Sequence, residues 1–280
     1  MFTKLSNSWN LMKASWGVLK QDKELIIFPI LSTVAVILVT ISFVIPMFFA
    51  GFLDQAVLRE SGALKYVVGF LFYFIQYTII IFSNTALVGA AMIRLRGGNP
   101  TVSDGFKIAF DHITTILGYA FISATVGMIL RAISERSGLL GKLVVSILSF
   151  AWSLATFLVI PVLVVENIGP IDAIKRSTSL LKKTWGEQIV GNMSIGFATG
   201  FIMIALVIAM IFTIFALAEI MTTAMLIFVI SLFVLAFILL ALISSTLGSI
   251  YEAAVYIYAA EGKTTGFFEE NLVSEAFRLK

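Results

Sequence analysis

Apolar stretches recur along the chain at roughly residues 25 to 50, 66 to 93, 113 to 133 and 139 to 165, followed by one block from about 188 to 258. A bilayer core of roughly 30 Å is crossed by about 20 helical residues, so the last block holds two spans, divided near Ala218 and Glu219. A mid-membrane carboxylate without a cationic partner would cost several kcal/mol, which places Glu219 in the turn. The pattern predicts an all-α polytopic membrane bundle, a single transmembrane domain over residues 1–280 with six spans within 25–258.

The segments between spans carry helical rather than extended periodicity. In residues 1–24, Phe2, Leu5, Trp9, Met12, Trp16 and Leu19 recur at spacings of three and four, with Lys4, Asn7, Lys13 and Lys20 on other faces. Trp9 and Trp16 beside lysines suit the headgroup boundary, where an indole buries its body and keeps its N–H wet. The same stripe could equally pack on the protein's own bundle, since periodicity does not distinguish lipid from a neighbouring helix. Interfacial helices are also expected near 101–112 and 170–185, and an acidic one over 264–280, where Phe268, Leu272, Ala276 and Leu279 align beside Glu269, Glu270 and Glu275. Pro100 and Asp104 match Pro170 and Asp172, the residues a helix start favours, and Lys107 then falls on Lys175. In 170–185 the apolar stripe is Ile171, Ile174, Leu181 and Trp185, interrupted by Thr178; Lys175, Arg176, Lys182 and Lys183 make the segment the most basic, suited to anionic headgroups. The exits around Ala90 to Asn99 and Ala253 to Lys263 also match, so the pattern suggests three units of one amphipathic helix plus two spans.

Composition narrows the class. The chain is 60% hydrophobic and 12% charged, with mean hydropathy +1.04, against about 25% charged in soluble domains. Soluble enzymes, nucleic-acid binders and disordered linkers are excluded. The six-span topology puts fourteen of the Lys and Arg residues on the side of the termini and five, Arg59, Lys65, Arg131, Arg136 and Lys142, on the other. That asymmetry predicts cytoplasmic termini in a cell (inner) membrane. The first apolar run follows a charged leader and is long enough to span, which reads as a retained anchor rather than a cleaved signal.

Candidate chemistry is sparse. Cysteine is absent, His112 is the single histidine, and no HExxH, GxSxG or P-loop pattern occurs. No catalytic constellation, metal site or cofactor is expected. Polar faces do mark the spans: Tyr73, Gln76, Tyr77, Ser83 and Asn84 on the second, Thr115, Tyr119 and Ser123 on the third, Ser146, Ser149, Ser153 and Thr156 on the fourth. On the sixth, Ser244, Ser245, Gly248, Ser249, Glu252 and Tyr256 share a face, with Gly248 a candidate helix break. Such stripes serve as packing contacts or line a pathway. Gly191, Gly196 and Gly200 open the fifth span, the last two as GxxxG. Glu166 and Glu252 are the carboxylates at span ends, each read first as a cap or anchor and second as a functional acid.

The segment from Val164 through Glu166, Gly169, Pro170, Ala173, Lys175, Arg176 and Ser177, followed by Leu180, Leu181 and Trp185, resembles a recurrent pattern in prokaryotic multi-pass proteins of unknown function. These are related to the membrane domain attached to some glycerophosphoryl diester phosphodiesterases. Ser8, Trp9, Trp16 and Gly17 in the leader and Tyr256 to Gly262 at the end fit the same pattern. The resemblance implies a six-span domain accessory to membrane or lipid processes; the soluble phosphodiesterase domain and its catalytic residues have no counterpart in this sequence.

The expectation is therefore a non-enzymatic membrane protein organising lipid or partner proteins through its interfacial helices, with homo-oligomerisation open and no nucleic acid. Trp9, Trp16, Lys175, Arg176, Lys182, Lys183 and Trp185 are its candidate lipid contacts. The alternative is a transporter or channel for a small or lipidic substrate, using the face with Glu166, Ser245, Ser249, Glu252 and Tyr256.

Overall fold

In a computed structural model, which describes residues 2–49, 62–185, 194–217, 222–268 and 273, every regular element is helical. In chain order they are α1 Phe2–Gln21, a 3-10 turn Lys23–Ile26, α2 Ile27–Phe49, α3 Leu64–Leu95, α4 Val102–Asp111 and α5 Ile113–Arg136. There follow α6 Leu139–Ala155, α7 Val159–Glu166, α8 Pro170–Trp185, α9 Ser194–Leu217 and α10 Thr223–Glu261. Six helical stretches are long and apolar enough to cross a membrane: Lys23–Phe49, Leu64–Leu95, Ile113–Arg136, Gly141–Glu166, Thr199–Ala216 and Thr223–Glu261. They coincide with the six spans expected from hydropathy. The turn assigned to Ala218 and Glu219 lies outside the described residues, as do Gly191, Leu272, Ala276, Leu279, the glutamates near them, and the side chains of Phe2, Leu5 and Trp185.

Two differences concern helix continuity. Gly248 does not break the sixth span: α10 runs through it for 39 residues, about 58 Å at 1.5 Å per residue. The broken span is the fourth, where α6 ends at Ala155 and α7 starts at Val159. Pro161 sits in the first turn of α7, where its missing N–H removes no intrahelical bond.

The chain forms two compact units. The first comprises Met1–Ile26, Ala91–Asn99 and Lys182–Lys280. There α1 packs on α9 and α10, and Ser244 on α10 donates to Thr199 Oγ1 on α9 at 2.9 Å. Arg94 grips Asp22, both largely buried, and also reaches Asn99. Arg96 pairs with Glu261, joining the two span exits whose sequences match. Phe268 is buried as well.

The second unit comprises Ile27–Ala90 and Pro100–Leu181. Gln76 on α3 donates to Thr40 Oγ1 on α2 at 2.9 Å. The tightest approach is at Gly105 of α4, where a Cβ would lie 2.5 Å from Phe28 Cζ and 2.7 Å from the Ala86 carbonyl. Only glycine lets α4 settle this deeply. At Gly200, by contrast, nothing lies within 4 Å of where a Cβ would stand, so this half of the GxxxG holds no close contact among the described residues.

Thr101 caps α4 in a reciprocal box with Asp104. Hydrogen bonds from the Thr101 side chain and backbone, with a smaller contribution from Lys107, hold the Asp104 carboxyl below its usual range. Pro100 precedes this cap, whereas Pro170 is itself the first residue of α8. His112 joins α4 to α5, its Nδ1 2.8 Å from the Ile108 carbonyl, a helix-end contact.

Candidate functional site

The segments expected to be interfacial bury a different face from the one their apolar stripes suggest. On α1, Leu11, Ser15, Val18 and Leu19 are buried, as is Asp22 just after it, while Trp9 and Trp16 remain 47% and 39% exposed. On α8, Ala173, Ser177, Leu180 and Leu181 are buried and Ile171 is 60% exposed. In both helices most of the buried set sits one position before the expected stripe, a rotation of about 100°. The rotation brings the small residues Ser15 on α1 and Ala173 and Ser177 on α8 inward, where they permit close backbone approach, beside the buried Leu11, Val18, Leu180 and Leu181.

The three segments share one burial register. Leu11, Gly105 and Ala173 occupy equivalent buried positions, followed one turn later by Ser15, Ala109 and Ser177. Lys13, Lys107 and Lys175 fall between them and are exposed in all three. Lys13 also lies over the Trp9 ring, 5.9 Å from its centroid. Lys182 and Lys183 are exposed, and Lys175 bonds Asp172 at 3.1 Å on the surface.

Arg176 is placed differently from those lysines. Its Nε donates to both oxygens of Glu166, at 2.8 and 2.9 Å. One turn of α8 is thereby fixed to the end of α7 across a corner at Asn167, a left-handed residue with φ 49°. Next to it, the buried Ser177 hydroxyl accepts from the Leu158 N–H at 3.0 Å, so α8 satisfies a donor that the broken fourth span leaves free. Glu166 thus has Arg176 as a partner that ties the end of α7 to α8. Ser177 enters the sequence reading only as the end of the Lys175-Arg176-Ser177 motif, without a structural role, and Asp22 does not enter it at all.

On the sixth span, Ser249 and Tyr256 are buried, Ser245 is exposed and Glu252 is partly buried. A different set of polar positions converges instead. Tyr77 of α3, Ser123 and Arg131 of α5, and Ser149, Trp152 and Ser153 of α6 line a cleft of about 440 Å³ inside the second unit. Tyr77, Ser123, Ser149 and Ser153 all belong to the polar faces read from the spans. Arg131 bonds Glu135 at 2.7 Å and also the Tyr73 hydroxyl.

A family model matches residues 63–267, most of the chain. The chain belongs to the family of unknown function DUF6159. The match takes in α3 through α10, and with them the α7–α8 corner and the cleft, while α1 lies before it. Neither a curated protein nor a solved structure matches the chain.

Among the described residues no cluster of three or more His, Cys, Asp or Glu could hold a metal ion.

Proposed function

We propose that this DUF6159 member is a non-enzymatic multi-pass protein of the cell (inner) membrane that organises lipids, or protein partners at the membrane surface, through its cytoplasmic interfacial helices. The observation that carries the reading is α1. One face packs on α9 and α10 while Trp9 and Trp16 stay uncovered beside Lys13, the arrangement of a helix anchored in its own protein and presenting an aromatic stripe to headgroups. Exposed Lys175, Lys182 and Lys183 on α8 add attraction to anionic lipid, at about 1 kcal/mol per charge. The common burial register of α1, α4 and α8 supports a threefold repeat of interfacial helix plus two spans. Cytoplasmic termini follow from the fourteen-to-five division of the basic residues. The resemblance to the membrane domain of glycerophosphoryl diester phosphodiesterases supports a lipid-associated role.

The test replaces Trp9 and Trp16 together by alanine in the full chain. In nanodiscs containing brominated anionic lipid, the tryptophan emission quenched in the parent protein should be largely lost, and in cells the lateral distribution of the membrane and recovery of bound partners should change. Unchanged organisation and recovery reject the proposal. So does solute movement into liposomes by the purified protein, which would favour transport; the polar cleft in the second unit is the observation on that side.

A further inference from the structure

The polar side chains of the cleft between α3, α5 and α6 fall at two depths. Arg131 and Ser134 lie five and two residues before the end of α5, roughly 7.5 and 3 Å along its axis, and form the mouth. Arg131 commits Nε to Glu135 and Nη1 to the Tyr73 hydroxyl there, so its charge is already countered. The floor lies deeper. Ser123 stands thirteen residues before the end of α5, Ser149, Trp152 and Ser153 ten to fourteen residues into α6, and Tyr77 thirteen residues into α3, all roughly 15 to 21 Å from those helix ends. Half of a bilayer core is about 15 Å, so the floor is at mid-membrane.

The floor carries no charge. Ser123 is only 5% exposed, lines the cleft, and its hydroxyl has no partner among the described residues. The same holds for the Tyr77 hydroxyl and the Trp152 indole N–H. Ser149 and Ser153 donate to the Val145 and Ser149 carbonyls at 2.8 and 3.0 Å, so toward the cleft they offer lone pairs. The Ser134 hydroxyl also has no partner among the described residues, but it stands at the mouth, level with headgroups and water. Donors left unmet at mid-membrane have no water to turn to, which is costly.

This arrangement selects a ligand. A Cβ at Gly127 would stand 3.1 Å from the Tyr77 hydroxyl oxygen, and Gly127 is one turn from Ser123, about 5.4 Å along the axis. That is close to twice an O–H···O length of about 2.7 Å, so one carbonyl oxygen between the two hydroxyls accepts from both. The Trp152 ring offers a face to a planar system, and Val126, Leu130 and Val145 supply apolar walls. A volume of about 440 Å³ falls in the range of small-ligand sites. A phospholipid keeps its polar part at the edge of the hydrocarbon core. An uncharged lipid without a headgroup is free to carry a carbonyl to mid-membrane.

We propose that the floor of this cleft binds the ring of an isoprenoid quinone, one carbonyl accepting from Tyr77 and Ser123, the ring beside Trp152, and the tail running among acyl chains along the exposed apolar surface of α5 and α6, such as Ile129 and Leu148. In the reduced quinol the ring hydroxyls donate to Ser149 and Ser153. Arg131 and Ser134 take no part in holding the ring. The inference rests on α3, α5 and α6 crossing a membrane, and not on the interfacial role of α1 or on which way the termini face.

The experiment measures displaceable binding of tritiated decylubiquinone to the immobilised full chain in detergent. Unlabelled decylubiquinone, decylubiquinol, a decyl dimethoxybenzene lacking both carbonyls, dioleoylglycerol and glycerol are the competitors. The label should bind saturably and be displaced by the first two alone. Tyr77→Phe with Ser123→Ala should weaken quinone binding about tenfold, the scale of two neutral hydrogen bonds. Ser149→Ala with Ser153→Ala should weaken competition by the quinol several-fold and leave the quinone unchanged, while Arg131→Gln should alter neither. Unfolding temperatures show which variants are folded, and each substitution on the floor removes a single oxygen. Absence of saturable binding, or binding unchanged in the folded Tyr77→Phe, Ser123→Ala protein, overturns the proposal. So does loss in Arg131→Gln, which would move the ligand to the mouth, or an equal loss of both redox forms in the Ser149, Ser153 variant. Displacement by dioleoylglycerol or by the carbonyl-free ring as strong as by quinone would replace the quinone with an unselected neutral lipid, and displacement by glycerol would replace it with a soluble polyol; either result overturns the assignment.

Discussion

Ser15 and Ser177 occupy the same register position on α1 and α8 and are both fully buried, yet their hydroxyls have opposite value. Ser177 accepts the Leu158 N–H, whereas Ser15 Oγ has no hydrogen-bond partner among the described residues. A buried donor stripped of its acceptor costs about 1–3 kcal/mol, while removing an unpaired hydroxyl relieves a desolvation penalty of similar kind. Ser177→Ala should therefore destabilise by about 2 kcal/mol and Ser15→Ala should leave stability unchanged or raise it by about 1 kcal/mol. Denaturation of the two variants in the same detergent reads the difference directly, and equal losses would refute it. Asp104 gives a pH-dependent counterpart. Its carboxyl is held below the usual range by Thr101, so its stabilising effect is complete above the unfolded value of about 3.9 and fades as pH falls through the lower folded value. Thermal unfolding followed from about pH 6 to about pH 3 should show a steeper acid-side loss in the parent than in Asp104→Asn.

The helices themselves were the legible level of the fold, because a span is set by length and hydropathy and both are local. Which face each interfacial helix buries was not. The stripe through Trp9, Met12 and Trp16 is the apolar face by periodicity, yet burial falls on Leu11, Ser15 and Val18; which face a helix turns inward depends on the neighbour it meets, and a local period does not carry that. The break in the fourth span escaped for a related reason. It depends on Ser177, nineteen residues beyond the amide it satisfies, while Gly248 looked a likelier breaker on composition alone. The polar stripes of the second, third and fourth spans did identify members of the cleft, since a polar face in an apolar helix has to meet something. Asp22 shows what local pattern misses: it follows α1 directly and is matched by Arg94 far along the chain. Breaking a buried pair by neutralising one partner costs about 3 kcal/mol. Asp22→Asn should accordingly loosen the docking of α1, seen as faster amide exchange over Trp9 to Gln21 with exchange in α5 unchanged. Protection preserved throughout α1 would show that the apolar face alone holds it.

At the scale of the molecule, burial and charge both gather toward the same ends of the spans. Continuous buried runs occupy residues 85–92, 158–163 and 253–257, the later parts of the second, fourth and sixth spans, and the first two lead into segments carrying Arg94, Arg96 and Lys107, and Lys175, Arg176, Lys182 and Lys183. Elsewhere the spans carry exposed large hydrophobics, such as Phe48, Ile147, Phe212 and Phe228, which water would penalise and lipid does not. If the basic side is cytoplasmic, positions 138 and 264 must lie on opposite sides, since three spans separate them. Both are exposed, and Gly138 has φ −69°, so a side chain fits there without strain. The chain has no cysteine, so Gly138→Cys and Thr264→Cys each provide a single reactive thiol. A membrane-impermeant maleimide added to intact cells should label Gly138→Cys and reach Thr264→Cys only after permeabilisation. The reverse result would invert the topology while keeping six spans. Labelling of both from outside would mean that one of the stretches beyond position 138 does not cross, and the charge asymmetry would then lose its meaning as a guide to orientation.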